Sequence, residues 1–142
     1  MPIKVRLQCT VNPTENEEKV LRALKNISDF EENVNMKRKS REYFVDIVIE
    51  GDLSILRKLR NKIKGRSRDL ARMLLFKNRV GKRTYLLINK QVAYVGKISF
   101  CETRNESPLG PIVIEIIGDS EDEIDSMVAW IVQENKEFEI EI

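Results

Sequence analysis

The residues able to do chemistry in this chain are few and of a narrow kind. Histidine is absent, which removes the commonest general base near neutral pH and the commonest metal-ligating side chain. Ser–His and Cys–His nucleophilic arrangements are therefore impossible within one chain. Cys9 and Cys101 are the only cysteines, too few for a structural zinc site. Asp119, Glu121, Asp122, Glu123 and Asp125 imitate a cation-binding loop, but Ile124 stands where the turn glycine belongs and no glutamate closes the loop. Acids so placed suit the first turn of a helix. The stretch Ser107-Pro108-Leu109-Gly110-Pro111 offers backbone amides to an anion, yet its two prolines remove two donors, which favours a rigid turn. Lys90 and Lys97 are amines without a surrounding catalytic pattern, and no glycine-rich nucleotide motif occurs. The expectation is a protein that is not an enzyme and needs neither cofactor nor metal.

Charge carries more information. The formal net charge is only +2, but residues 57–83 hold twelve Lys or Arg against the single Asp69, while residues 102–142 hold twelve Asp or Glu against Arg104 and Lys136. Phosphates are the natural ligand of such a basic segment, with an affinity that falls steeply in salt. The residues expected to form the nucleic-acid contact are Arg57, Arg60, Lys64, Arg66, Arg68, Arg72, Lys82 and Arg83. Two other readings stand beside it. The cations can be solvated helix faces paired with the acidic C-terminal part of the same chain, or one end of a head-to-tail assembly. Tyr85, Tyr94 and Phe100 are candidates for base stacking or for packing beneath a helix.

Alternation and helical spacing supply the elements that position these residues. Ile3, Val5, Leu7, Cys9 and Val11 alternate with Lys4, Arg6, Gln8 and Thr10, the mark of a strand with one buried face. Cys9 lies in the apolar series and reads as a small core residue. Thr14 with Glu17 matches a capping box for a helix carrying Val20, Leu21, Leu24 and Ile27. A polar strand is expected over 33–39, and a strand over 43–50 with Tyr43, Val45, Ile47 and Ile49 on one side. Leu53, Leu56, Leu59 and Ile63 then mark a helix ending near Gly65. Ser67 caps another, bearing Leu70, Met73, Leu74 and Phe76. A hairpin is predicted from 85–88 and 92–100 around Asn89-Lys90-Gln91, with Gly96 at a bulge. A strand at 112–117, a helix capped by Ser120 and Glu123, and an alternating tail Phe138–Ile142 complete the order. Short connections pair neighbouring strands antiparallel.

The stretch from Asn89 to Phe100, the Ser107–Ile112 stretch and the opening Val11-Asn12-Pro13-Thr14-Glu15 together resemble an archaeal group of small proteins, uncharacterised protein family 0201. The resemblance implies an antiparallel sheet of about five strands packed against helices, similar to the ribosomal protein that binds 5S ribosomal RNA and to RNA-recognition domains. It carries over no functional residue, because fold likeness is not a site.

Composition agrees with a globular domain: 142 residues, 42% hydrophobic and 34% charged, about the size of one domain. No apolar run approaches the ~18 residues of a membrane span. Lone cysteines and a charged N-terminus place the chain in the cytoplasm. The expectation is a single α+β domain over 1–142, its antiparallel sheet covered on one face by helices. It is an RNA-recognition-like fold binding RNA through a basic helical face. The alternative is a self-associating, homodimeric structural or interaction module without nucleic acid, its tail pairing with another chain.

Overall fold

The computed structural model describes residues 3–133; the alternating tail Phe138–Ile142 lies outside them. Six strands form one open antiparallel sheet in the order β2-β3-β1-β6-β4-β5. They are β1 (Lys4–Val11), β2 (Met36–Arg41), β3 (Phe44–Gly51), β4 (Arg83–Ile88), β5 (Phe100–Cys101) and β6 (Ile112–Ile117). Six helices accompany them: α1 (Glu17–Ile27), α2 (Glu32–Asn35), α3 (Arg57–Lys62), α4 (Arg66–Lys77), α5 (Lys90–Tyr94) and α6 (Glu121–Ile131). The α+β architecture is as expected, with one strand more than the about five that the resemblance implies.

The period of two in β1 divides the molecule. Val5, Leu7, Cys9 and Val11 are buried, and so are Ile47 and Ile49 on β3, Ile112, Ile114 and Ile116 on β6, and Leu86 and Ile88 on β4. Against this face pack Val20, Leu24 and Ile27 of α1, Leu59 of α3, Leu74 and Leu75 of α4, and Ile124, Met127 and Ile131 of α6. Strand register follows from the same pattern, since a slip of one residue would turn every apolar side chain to water. Leu7 stands between Ile49 and Ile114, all three fully buried. The opposite face carries Lys4, Arg6, Gln8 and Thr10 and stays accessible, with Gln8 and Tyr85 exposed upon it.

Several local expectations give way to tertiary context. The strand predicted over 92–100 is instead the short helix α5, capped where the Asn89 side chain accepts from the Val92 amide, and only Phe100–Cys101 pairs with β4. Asn26 of α1 donates to the carbonyls of Ala93 and Tyr94 and holds the C-terminal end of α5. Gly96 is therefore no bulge; with φ of 85° it turns the chain out of that helix. The polar strand begins at Met36, because residues 32–35 form α2. Tyr43 sits in the tight turn between β2 and β3 and is 80% exposed, not part of an apolar strand face. The cap of α1 is Asn16, not Thr14. Ser67 does not cap α4, whose cap position is Gly65; its hydroxyl bonds Lys64 instead. Met73 and Phe76 face water, because the buried side of α4 is Ala71, Leu74 and Leu75.

Removing most of a side chain at the centre of this core leaves a cavity. Ile114→Ala is expected to lower unfolding free energy by about 2–5 kcal/mol, read from the urea midpoint. Val34→Ala, at a position 74% exposed, should stay within about 0.5 kcal/mol of the parent.

Candidate nucleic-acid interface

The basic segment begins where β3 ends. The Asp52 side chain accepts from the Ser54 amide and opens a 3-10 turn, Leu53–Leu56, that leads into α3. Ile55, Leu56, Leu59 and Ile63 are buried, so the intervening Arg57, Lys58 and Lys62 are turned outward. Gly65, with φ of 56°, makes the corner into α4, and burial of Ala71, Leu74 and Leu75 leaves Arg66, Arg72 and Lys77 on the outer side.

These cations divide into two sets. One is engaged by the rest of the chain. Arg60 donates to the Trp130 carbonyl at 2.7 Å and lies 4.9 Å from the centre of its ring. Lys58 bonds the Lys25 carbonyl and faces Asp29 at 3.7 Å, and Lys62 donates to the Gly96 carbonyl. Arg72 stands 3.6 Å from Asp69. Arg79 bridges Asp125 and Glu121 of α6, and Arg83 reaches Glu115 at 3.7 Å. Pairing with the acidic C-terminal half is thus real at Arg79 and Arg83. The second set, Arg57, Lys64, Arg66, Arg68, Lys77 and Lys82, makes no ion pair among the described residues. Arg68 also keeps a buried Nε without a hydrogen-bond partner.

The eight residues expected from the sequence are therefore not one patch. Lys64, Arg66 and Arg68 cluster at the α3–α4 corner, and Arg57 lies one helix earlier. Lys82 belongs to the turn before β4, Arg60 is turned toward α6, and Arg83 stands in the accessible face of the sheet. Register across that face builds two rows, Glu50–Arg6–Glu115–Tyr85 and Val48–Gln8–Val113–Leu87. Arg6 donates to Glu50 at 3.0 Å and to Glu115 at 3.4 Å, and its bond holds the Glu50 carboxyl below the usual carboxylate range. Arg41 does the same to Asp46. Of the three rings, Phe100 is buried and Tyr94 lies on α5 with Arg22 5.6 Å from its ring centre. Tyr85 alone of the three is on the accessible face.

The stretches around Asn12, Lys90 and Ser107 converge on one buried ion pair that sequence reasoning missed. Lys90 is 4% exposed and Glu15 9%. The Lys90 ammonium donates to Glu15 at 2.9 Å, to the Thr10 carbonyl at 2.8 Å and to the Leu109 carbonyl at 3.0 Å. Asn12 donates to both Glu15 and the Leu109 carbonyl, and the Ser107 hydroxyl accepts from the Lys90 amide. With all three protons used, this ammonium is a structural clamp and not a nucleophile. The turn at 107–111 presents a carbonyl to a cation, the reverse of an anion cradle. Burial works to raise the Glu15 pKa, but bonds from the Asn12 amide, Lys90 and the Asn12 side chain outweigh it and leave it lowered. Burial pushes the Cys9 thiol up to about 12, with Lys90 opposing and Glu15 adding, so Cys9 is a core residue and no thiolate. The signal in the sequence was an Asn-Pro and a Pro-Leu-Gly-Pro flanking a lysine, with nothing to join them.

Comparisons with known proteins show the family and the fold. A family model described as RNA binding matches residues 4–118. A UPF0201 protein of Sulfurisphaera tokodaii is 42% identical over 115 residues, covering 80% of this chain and 77% of that one. One of Methanopyrus kandleri is 34% identical over 138 residues, covering 92% and 85%. The crystal structure of a UPF0201 protein from Methanococcus jannaschii matches with a TM-score of 0.73 at 27% identity, covering 91% of this chain and 98% of that chain. No helix among the described residues is long and apolar enough to cross a membrane.

The buried pair sets two expectations. Lys90→Met leaves Glu15 uncompensated and should cost about 3–5 kcal/mol, most of it regained in Lys90→Met/Glu15→Leu. Because the folded-state pKa of Glu15 is lowered, its contribution to stability is whole above the unfolded value of 4.5 and is lost as pH falls through the folded value. Urea midpoints measured from neutral pH downward should decline there in the parent and less in the double variant.

Proposed function

The chain belongs to the UPF0201 family, and from that premise we propose that it is a non-enzymatic RNA-binding protein that holds the phosphate backbone on its α3–α4 corner. The family model's description, RNA binding, supports the class of ligand. The observation that carries the proposal to particular residues is the set of cations without an ion pair among the described residues: Arg57, Lys64, Arg66, Arg68, Lys77 and Lys82. Ammonium and guanidinium groups left without an ion pair are ready to release counterions on meeting phosphate. Arg60 and Arg72 act in this reading by fixing α3 and α4, and Arg83 by closing the charge network of the sheet face.

A self-associating module is the second reading, favoured by an exposed apolar strip on and beyond α4: Phe76 is 72% exposed, Val80 76% and Met73 48%. Such a strip is characteristic of protein contact. Light scattering separates the two: a monomer unchanged by Phe76→Ser eliminates it.

The RNA reading is tested by filter binding of structured RNA at several salt concentrations. Binding should weaken with salt, and Lys64→Ala or Arg66→Ala should each weaken it across sequences and lower the slope of log K against log salt by about 1. Absence of binding, or binding without a salt slope, overturns the proposal.

A further inference from the structure

The accessible face of the sheet is not only the back of the core. Beside Gln8, Tyr85, Leu87 and Val113, the turn at 102–104 closes a cleft with a volume of about 490 Å³, inside the range of roughly 300–1,000 Å³ found for small-ligand sites. We infer that this cleft receives one unpaired base of a bound RNA strand, an inference that rests on the RNA-binding reading and adds a second, base-contacting site on the other side of the sheet from the helices.

The chemistry of the lining selects a base over a phosphate. A phosphate offers only negative charge and acceptors, and the cleft presents it with the carboxylates of Glu102 and Glu115; of its two cations, Arg6 is taken by Glu50 and Glu115 and Arg104 alone is left without an ion pair among the described residues. A base instead presents two apolar faces and an edge that mixes donors and acceptors. Tyr85, 38% exposed, supplies a ring for stacking, and the Asn78 side chain bonds its backbone carbonyl and holds that part of β4 in place. Leu87 and Val113, neighbours in register, give an apolar floor. Around them the Gln8 amide, the Glu102 carboxylate and the Arg104 guanidinium make no hydrogen bond or ion pair among the described residues. An amide that both donates and accepts, a pure acceptor and a pure donor are what reading a base edge requires. A base already stacked and paired in a helix exposes neither its faces nor that edge, so the site distinguishes single strands from duplex.

The test is fluorescence anisotropy with a labelled single-stranded RNA and with a duplex of the same sequence, each titrated at several salt concentrations. Tyr85→Ala should weaken the single strand about 5- to 100-fold, the usual worth of one stacked base, while leaving duplex affinity and the salt slope unchanged. Tyr85→Phe should restore binding, and Gln8→Leu should change the preference among bases without changing the slope. The position is exposed, so an unchanged unfolding midpoint checks the fold. If Tyr85→Ala alters neither RNA, or both equally, the base site is wrong although the phosphate reading stands. If neither RNA binds the parent protein at all, both fall together.

Discussion

Everything in this molecule hangs on the two-residue period of its central strand. β1 is paired on both sides, to β3 and to β6, so its apolar residues drive one face of the whole sheet into the helix layer and its polar residues hold the other face in water. Transfer of those alternate side chains out of water is the main favourable contribution, and it acts along the strand as a register lock. A shift of one place would bury Arg6 against Ile114 and expose Leu7. Antiparallel pairing with such strict alternation permits one covered and one wet face, and both proposed RNA contacts follow from that division: phosphate on the far side of the helices, a base on the bare face.

The buried Lys90–Glu15 pair is the second organising interaction. It ties the end of β1, the entry to α1, the start of α5 and the 107–111 turn to one point, through a cation whose protons are all used. Taking two charges out of water costs several kcal/mol per ion, and the compensating bonds exist only when all four segments are in place. Such a clamp favours a unique arrangement of loops more than it favours raw stability.

The charged surface obeys the same rule of local satisfaction. In the basic segment, side chains that lie near α6, the α1 end or the sheet find a carbonyl or carboxylate, and those at the α3–α4 corner do not. Local neutralisation therefore accounts for only part of the polarisation: Lys64, Arg66 and Arg68 stay unpaired at the α3–α4 corner, with Arg57, Lys77 and Lys82 unpaired elsewhere on the segment. On the sheet face, Arg6 stands between Glu50 and Glu115, and beside that network Gln8, Tyr85, Glu102 and Arg104 keep side chains without a hydrogen bond or ion pair among the described residues.

What the amino-acid order determined by itself was whatever depends on near neighbours. The faces of β1, β3 and β6, the inward Cys9, the amphipathic stripes of α1 and α6 and the antiparallel sheet follow from periodicities of two and of three to four residues, because those periods translate directly into direction. What the tertiary structure decided was every outcome depending on groups far apart in the chain. Val92–Phe100 has the composition of a strand, but Asn26 of α1 and the Asn89 cap make its start a helix. Lys90 has the look of a turn lysine, but three acceptors from distant segments make burial tolerable. Which of twelve cations remain free could not be read from their spacing, since Asp125, Glu115 and the Trp130 carbonyl reach them across 32 to 70 positions of sequence. Desolvation and pairing are properties of a place in space, and the chain acquires such places only when it folds.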